Sequence, residues 1–217
     1  MQDSTPKIWF KQSSLAKRIV NRSIFELKLL FGVDWFNGSE DRRVLERIII
    51  PYFLDESDFC NILFVGCHWY TKGYNRWFEQ KKKNYLTIEI DPSHRRYGAK
   101  QHIVDGLQNI AKHCKPGSLD LIICNGVFGW GLDDRRDIET AFEGCFDSLR
   151  DGGALVIGWD DVEQHRPFRL EECQSLRQFQ PFVFPPLASA NFVTDTSYRH
   201  TYSFFTKPKM TPTLHSA

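Results

Sequence analysis

Short apolar runs alternate with amphipathic segments through the middle of the chain. The run Ile62–Val65 is too short for a helix and shows no polar alternation, which is typical of a strand buried on both faces of a parallel sheet. A second apolar run, Tyr85–Ile90, follows an amphipathic segment in which Tyr74, Trp77 and Phe78 recur at helical spacing. The pattern predicts a strand, a loop, a helix and a second strand, in that order.

The alternation continues toward the carboxyl terminus. The pattern next predicts a short helix, a third strand, a helix, a fourth strand, a long helix and a fifth strand, at Pro92–Lys100, Gln101–Val104, Leu107–His113, Leu119–Cys124, Arg135–Leu149 and Ala154–Trp159. Asp151-Gly152-Gly153 is expected to close the long helix. After a loop and helix at Asp160–Gln178, two last strands are predicted at Phe192–Thr194 and His200–Thr206. Strands and helices in regular alternation favour a doubly wound α/β sheet.

The two ends of the chain differ from its middle. Residues 1–58 are predicted to form a helical extension, with a helix pair followed by a helix over Glu40–Leu54 that has Ser39 as its cap. The basic side chains of its first part fit a solvated helix face or a contact with an acidic substrate or membrane surface. The main domain is expected over residues 59–208, and residues 209–217 are expected to be a disordered tail.

Composition narrows the class of protein. A chain of 217 residues is long enough for one well-cored domain with an extension. Lys and Arg number 28 against 27 for Asp and Glu, so no basic excess indicates nucleic acid, and we expect a small partner. No apolar run approaches the roughly 20 residues of a membrane span, and the amino terminus lacks a signal-peptide core, so a cytoplasmic protein is expected. The 6 cysteines show no zinc-type spacing, and we expect them to be reduced and mostly buried.

Two residues at the ends of the first two predicted strands carry the candidate chemistry. Gly66 ends the first strand, where a glycine lets the backbone turn tightly beneath a ligand. Glu89 ends the second strand, and an acidic residue about 20 positions after such a glycine accepts hydrogen bonds from a ribose diol. Because ligands of open α/β sheets lie over the carboxyl ends of the strands, the pattern predicts a nucleoside-containing cofactor.

With its strands placed, the chain resembles the class I S-adenosylmethionine-dependent methyltransferases over roughly Asn61–Pro208. The resemblance rests on motifs that follow one another in the family's order: FVGCHWYTKG, IEIDPS, HIVDGL, LDLIICNGVFGW, LRDGGALVIGWDD and RHTYSFFTKP. It implies a Rossmann-like, seven-stranded sheet with the strand order 3-2-1-4-5-7-6, in which only strand 7, His200–Thr206, is antiparallel. It also implies a transferase with S-adenosyl-L-methionine as its cofactor.

The resemblance assigns cofactor contacts to the ends of the predicted strands. Glu89 would bind the ribose, Asp105 would lie beside the adenine, and Asn125 with Gly126 would contact the methionine part. The full expected set is Gly66, Cys67, His68, Gly73, Glu89, Ile90, Asp105, Gly106, Leu107, Asn125, Gly126 and Val127. For Asp105 a helix N-cap is the alternative role.

The glycine loop departs from the family's E/D-x-G-x-G-x-G pattern. Phe64 stands at the acidic position, and His68 and Tyr70 replace the second and third glycines. Either the larger side chains narrow the pocket and abolish cofactor binding, or the loop is longer and uses Gly73 for the close approach to the ligand.

Polar residues after the fifth strand are the candidates for acceptor chemistry. We expect the acceptor site between Val127–Leu132, Asp160–Arg166 and the amino-terminal helices, since the resemblance implies that loops after strands 4 and 5 flank the reacting methyl group. His165 is the candidate base, because an imidazole with an unperturbed pKa of about 6.5 can take a proton near neutral pH. Asp160 and Asp161 are the alternatives. No metal is expected, because adjacent carboxylates on an extended chain point opposite ways.

The predicted function is an S-adenosylmethionine-dependent methyltransferase that acts on a small molecule or glycan, with oxygen as the preferred acceptor. A non-catalytic protein of the same fold, which would bind a nucleoside or a protein partner, is the alternative that the altered glycine loop favours. A nicotinamide oxidoreductase ranks last, because no G-x-G-x-x-G pattern begins at Gly66. A homodimer is left open.

Overall fold

The structure is a computed structural model that describes residues 39–55 and 59–209. The helix pair predicted before Ser39 and most of the predicted tail lie outside these residues. All described residues belong to the same compact unit, which runs from Phe36 to Ala217.

The central element of the described residues is a sheet of 8 strands. Its strands are β1 (Asn61–Val65), β2 (Asn84–Glu89), β3 (Gln101–Val104), β4 (Leu119–Asn125), β5 (Leu149–Asp160), β6 (Gln180–Pro181), β7 (Asn191–Val193) and β8 (His200–Thr206). Their order is β3-β2-β1-β4-β5-β8-β6, and β7 also pairs with β8. β1 runs parallel to β2 and β4, whereas β8 runs antiparallel to β5. The predicted strands 6 and 7 correspond to β7 and β8, so the predicted order is confirmed. The antiparallel direction of the last strand is confirmed as well.

The strand that the sequence pattern misses is β6. It is 2 residues long and pairs with residues 205–206 of β8, next to the pairing of β7 with residues 201–203. Both short strands therefore border the same edge of β8. A two-residue strand is too short to show a pattern, and its Pro181 cannot donate to a ladder, which confines it to a sheet edge.

The α-helices and the π-helical turn of the described residues lie before β1, between β1 and β2, and between β4 and β5. They are α1 (Glu40–Val44), a π-helical turn (Leu45–Ile49), α2 (Ile50–Asp55), α3 (Tyr74–Gln80) and α4 (Arg135–Ser148). The first three follow one another directly and replace the single helix predicted over Glu40–Leu54.

Three predicted helical segments are tighter than an α-helix. The segments predicted at Pro92–Lys100 and Leu107–His113 are 3-10 helices over Pro92–Tyr97 and Leu107–Lys112. Residues 160–178 contain short 3-10 turns and no α-helix. The first two connectors have room for only one or two turns, for which 3-10 geometry is frequent.

Two predicted helix ends also differ from the structure. Ser39 occupies the cap position of α1, but its side chain makes no capping hydrogen bond. α4 ends at Ser148, before the Asp151-Gly152-Gly153 turn, because β5 already begins at Leu149. The glycines therefore lie within the irregular start of a strand and do not close the helix.

Apolar side chains cover both faces of the sheet, which confirms the doubly wound prediction. On one face Leu45 and Phe53 pack with Phe64 of β1 and other buried residues. On the opposite face Ile138 and Phe142 of α4 pack against the alternate residues of the same strands. β4 is buried along its whole length, as expected for a central parallel strand. The carboxyl ends of the parallel strands therefore meet at one edge, between the two helical layers.

Candidate functional site

The carboxyl ends of β1, β2 and β4 border a cavity of about 210 Å³, here called cavity A. All residues predicted to bind the cofactor line this cavity except Gly73: Gly66, Cys67, His68, Glu89, Ile90, Asp105, Gly106, Leu107, Asn125, Gly126 and Val127. The fold thus brings together residues that the sequence places after separate strands.

Glu89 fixes the loop that follows β1. Its Oε2 accepts a hydrogen bond from the backbone N–H of Cys67 at 2.8 Å, and its Oε1 accepts one from the backbone N–H of Asp91 at 2.9 Å. The carboxylate is largely buried, with 12% of the side chain exposed. Since each carboxylate oxygen can accept a further hydrogen bond, Glu89 can hold the loop and still accept from the hydroxyl groups of a ligand.

The two loop glycines differ in what their backbone requires. Gly66 has a φ of +84°, and a Cβ there would lie 2.9 Å from Val127 Cγ2. Gly73 has an ordinary φ of −70° just before α3 and lies outside the lining of cavity A. The hydroxyl of Thr71 closes the loop instead, because it accepts from the N–H of His68 at 3.0 Å and donates to its carbonyl at 2.9 Å. The predicted close approach at Gly73 has no counterpart in cavity A.

Asp105 accepts hydrogen bonds from several groups of the segment that follows it. The donors are the backbone N–H of Gly106, Nδ2 of Asn109 and Nε2 of His113, each at 2.8 Å. The hydrogen bonds from His113 and Asn109 lower the pKa of Asp105. Gly106, and not Asp105, occupies the N-cap position of the following 3-10 helix. Asp105 therefore stabilises this turn as an ionised carboxylate in the wall of cavity A.

His68 and His94 place imidazole nitrogens in the wall of cavity A. The ring centroids lie 5.0 Å apart, and Nδ1 of each is buried without a hydrogen-bond partner among the described residues. Burial, together with the neighbouring His94, lowers the pKa of His68, so its ring is neutral near pH 7. Buried polar atoms without a protein partner are candidates for hydrogen bonds to a ligand. Sequence reasoning missed His94, because it lies in a polar segment without a distinctive pattern.

A second cavity, of about 550 Å³, adjoins the first and is here called cavity B. The two cavities share Arg42, Tyr70, Asn125, Gly126 and Trp130. The other walls of cavity B come from the start of α1, the end of β5 and the segment before β8: Ser39, Asp41, Asp160, Thr196, Ser197, Tyr198 and His200. A molecule in cavity B would therefore meet a ligand in cavity A.

A pair formed by Asp160 and His200 joins the ends of β5 and β8. Asp160 accepts hydrogen bonds from His200 Nδ1 at 2.6 Å and from Trp130 Nε1 at 3.0 Å. Burial alone would raise the pKa of Asp160, but the hydrogen bonds from His200 and Trp130 lower it below its usual range. His200 Nε2 lies 3.2 Å from Asn125 Oδ1, and Gly158 leaves room for this contact because a Cβ there would overlap the oxygen. An ionised carboxylate beside an imidazole thus lines cavity B.

Of the three candidate catalytic residues, Asp160 is the one that lines a described cavity. The His165 ring lies 4.1 Å from that of Trp130, and its Nδ1 is 3.4 Å from Asp160 Oδ2, but His165 lines neither cavity. Asp161 pairs with Arg166 at 2.5 Å and also lies outside both linings. Adjacent residues of an extended chain point to opposite sides, which separates Asp161 from Asp160. His165 and Asp161 thus lie outside the linings of both cavities, and their catalytic roles stay predictions.

Arg42 of α1 lies between the two cavities and was not among the predicted site residues. It is buried, with 8% exposure, and its guanidinium lies 4.0 Å from the centroid of the Tyr70 ring. Its Nη1 donates to the hydroxyl of Tyr74 at 3.3 Å. Arg42 shares a helical face with the buried Leu45 and Ile49. An arginine on an apolar helix face was the signal that could have identified it.

Similarity to known proteins is found at the level of structure. No family model matches the chain, and no curated protein matches its sequence. The structure of the N-methyltransferase NodS from Bradyrhizobium japonicum WM9 is similar, with a TM-score of 0.60 and 15% identity over 80% of this chain and 100% of that chain. A TehB-like S-adenosylmethionine-dependent methyltransferase from Corynebacterium glutamicum has a TM-score of 0.55 and 17% identity over 88% of this chain and 98% of that chain.

A third similar structure is 1,6-didemethyltoxoflavin-N1-methyltransferase from Burkholderia thailandensis, with a TM-score of 0.54 and 12% identity over 95% of this chain and 94% of that chain. The chain has the fold of the class I S-adenosylmethionine-dependent methyltransferases. The resemblance seen in the sequence motifs is thus confirmed as a methyltransferase fold.

The cysteines of this methyltransferase fold are thiols, as expected. All 6 lie within the described residues, none forms a disulfide, and each except Cys60 is buried. Burial raises the pKa of the Cys67 thiol to about 12. Cys67 therefore contributes a neutral thiol to cavity A and is unsuited to act as a nucleophile.

Within residues 39–55 and 59–209, no group of His, Cys, Asp and Glu side chains is arranged to hold a metal ion. No helix in this part of the chain is long and apolar enough to cross a membrane.

Proposed function

We propose that the protein is an S-adenosylmethionine-dependent methyltransferase that acts on a small molecule or glycan. The observation that carries the proposal is the convergence of Gly66, Glu89, Asp105 and Asn125 around cavity A, within a methyltransferase fold. Two similar structures, NodS and the toxoflavin N1-methyltransferase, were crystallised with S-adenosylhomocysteine.

The residues of cavity A fit the parts of this cofactor. Glu89 would accept hydrogen bonds from the ribose diol, and the buried side chain of Leu107 would pack on the adenine near Asp105. His68 and His94 line the same cavity, and their imidazole rings add polar groups to its wall, which supports a polar ligand there. When bound, the cofactor supplies an electrophilic methyl group on a sulfonium centre.

Cavity B is the proposed acceptor site, because it shares the wall near Asn125 and Gly126 with cavity A. Its walls would orient the acceptor for in-line displacement, since positioning supplies most of the acceleration in such reactions. Asp160 and His200 form a hydrogen-bonded pair in this cavity that can stabilise or receive a proton as an acceptor hydroxyl reacts. His165, which lies behind Trp130, would act only if the side chains moved.

Oxygen is the proposed acceptor atom, on the basis of the carboxylate and imidazole in cavity B. Nitrogen is the second candidate, because NodS and the toxoflavin enzyme are N-methyltransferases. An uncharged amine is already a nucleophile and needs no base while it attacks, so a nitrogen acceptor would make less use of Asp160 and His200.

Calorimetric titration with S-adenosylhomocysteine tests the proposal. We expect a dissociation constant in the micromolar range or tighter for the wild type. Glu89→Ala should weaken binding by about 1–3 kcal/mol, because buried hydrogen bonds to a charged group are of that size. Glu79→Ala is the matched control, since Glu79 is exposed and pairs with Lys100 away from cavity A.

The titration also separates the alternatives. Absence of heat with the wild type at millimolar S-adenosylhomocysteine would favour the non-catalytic protein. Tighter binding of NAD than of S-adenosylhomocysteine would favour the oxidoreductase.

A further inference from the structure

The side chains that replace glycines in the loop after β1 form a stack at one end of cavity A. The rings of His68 and Tyr70 lie face to face, with centroids 4.8 Å apart and planes inclined by 23°. The guanidinium of Arg42 lies over the Tyr70 ring at 4.0 Å. Tyr70 therefore acts as a flat support for an arginine that comes from a helix before the first strand.

Arg42 carries a buried charge without a carboxylate partner in the described part of the chain. No Asp or Glu oxygen of the described residues lies within 4.0 Å of its guanidinium, and its hydrogen bond goes to the neutral hydroxyl of Tyr74. The Tyr74 hydroxyl in turn donates to Glu46 Oε1 at 2.7 Å, so a hydroxyl group links Arg42 to the Glu46 carboxylate. Burial of a charge without a partner is costly, and an anionic ligand would offset that cost.

The position of Arg42 indicates which ligand would supply the anion. Among the described residues that line cavity A, Arg42 is the one lysine or arginine. Arg42 also lines cavity B, and none of its nitrogens is among the buried side-chain atoms of the described residues that lack a partner. A guanidinium presents parallel N–H groups that match the two oxygens of a carboxylate.

We propose that Arg42, held flat on Tyr70, binds the carboxylate of the amino-acid part of S-adenosylmethionine. The inference rests on the proposed function and explains the altered glycine loop. A glycine loop brings backbone close to a ligand, whereas this chain fills that space with His68 and Tyr70 and supplies a guanidinium from α1. His68 and Tyr70 thus form part of the binding site for the cofactor and do not block it.

Binding measurements with two ligands test the role of Arg42. S-adenosylhomocysteine carries the carboxylate, and 5′-methylthioadenosine has the same nucleoside and thioether but no amino-acid part. Arg42→Gln should weaken binding of S-adenosylhomocysteine at least tenfold and change the affinity for methylthioadenosine less than twofold. Arg43→Gln should leave both affinities unchanged, because Arg43 is exposed and pairs with Glu40.

A measurement on the wild type covers the case in which Arg42→Gln does not fold. The methyl ester of S-adenosylhomocysteine keeps the amino group and lacks the carboxylate charge, and it should bind at least tenfold more weakly than the acid.

Each other outcome overturns the inference in a recognisable way. An equal loss of affinity for both ligands in Arg42→Gln would show that Arg42 only supports the loop. A second outcome is that Arg42→Gln binds both ligands as the wild type does, and that the wild type binds the ester and the acid equally. Arg42 would then not bind the carboxylate of the cofactor, and an anionic group of the acceptor in cavity B would be its ligand instead. Failure of the wild type to bind any of the three ligands would overturn the proposed function as well.

Discussion

Asp160 is a residue whose ionisation couples the proposed acceptor site to stability. Its carboxylate is largely buried and accepts hydrogen bonds from His200 and Trp130. These bonds outweigh burial and hold the pKa of Asp160 below the ordinary value of 3.8. Because the folded-state pKa lies below the unfolded-state value, the ionised form stabilises the fold at neutral pH. That contribution is lost as the pH falls through the folded-state pKa.

We expect Asp160→Asn to lower the free energy of unfolding by about 1–3 kcal/mol at pH 7, the usual size for hydrogen bonds to a charged group. The difference from the wild type should shrink as the pH falls below about 4, since the wild-type carboxyl then takes up a proton on unfolding. Urea unfolding at pH 7, 5, 4 and 3 measures both effects. Asp55→Asn, at an exposed pair with Lys81, is the control with little expected effect. A deficit of equal size at every pH would contradict the prediction.

Residues at strand ends were predictable from the sequence, and residues that meet through long-range contacts were not. Gly66 and Glu89 follow apolar strands directly, so the sheet alone fixes their positions. His200, which the sequence pattern gives only as the start of the last strand, contacts Asn125 across 75 residues of sequence, and no local pattern encodes that contact. The roles predicted for His165 and Asp161 stay predictions, because the irregular segment after β5 gives no periodicity from which to infer side-chain direction.

At the scale of elements, the loop after β4 is packed on the loop after β5. Gly129 has a φ of +80°, and a Cβ there would overlap the backbone oxygen of His165. Gly117 has a similar φ of +67°, with no other group within 4 Å of a Cβ. Both glycines have a positive φ, but only Gly129 has neighbouring atoms that a Cβ would overlap. Substitution of each by alanine therefore separates the cost of backbone strain from the cost of overpacking.

We expect Gly117→Ala to lower the free energy of unfolding by about 1–2 kcal/mol, the cost of a left-handed conformation for a residue with a Cβ. Gly129→Ala should cost about 1–3 kcal/mol more, because overpacking forces the backbone near His165 to move. Urea denaturation of the two variants gives the comparison. Equal losses of unfolding free energy in the two variants would mean that the loops after β4 and β5 can move apart at no cost in stability. A shift of the S-adenosylhomocysteine affinity in Gly129→Ala alone would extend the coupling to cavity A.

Strands were predicted more accurately than connecting helices, for a physical reason. β1 and β4 are buried on both faces, so their apolar runs are continuous and end sharply. The 3-10 helices at Pro92–Tyr97 and Leu107–Lys112 have only 6 residues each, and apolar spacing over so few residues fits several conformations. β6 is shorter still and is fixed only by its pairing with β8.

At the scale of the whole molecule, the predicted extension over residues 1–58 is not separate from the hydrophobic core, because its described part contributes buried side chains to that core. Leu45, Ile49 and Phe53 are at most 1% exposed. They belong to the same apolar cluster as Phe64 of β1 and Phe204 of β8. The sequence shows an amphipathic helix here but does not reveal what its apolar face covers. The boundary between residues 58 and 59 stays a prediction, and a truncation series can test it.

We expect a chain that begins at Phe59 to lose cooperative folding, whereas a chain that begins at Phe36 keeps it. Removal of each large buried apolar side chain costs about 2–5 kcal/mol, and the loss of Leu45, Ile49 and Phe53 together approaches the whole stability of a typical domain, about 5–15 kcal/mol. Removal of residues 36–58 would also take Arg42 from the wall between the cavities. Urea unfolding followed by tryptophan fluorescence compares both truncated chains with the full chain. The prediction is wrong if the chain that begins at Phe59 unfolds cooperatively at the same urea midpoint as the full chain. That result would support a domain boundary at residue 58 and show that the sheet folds without the helix before β1.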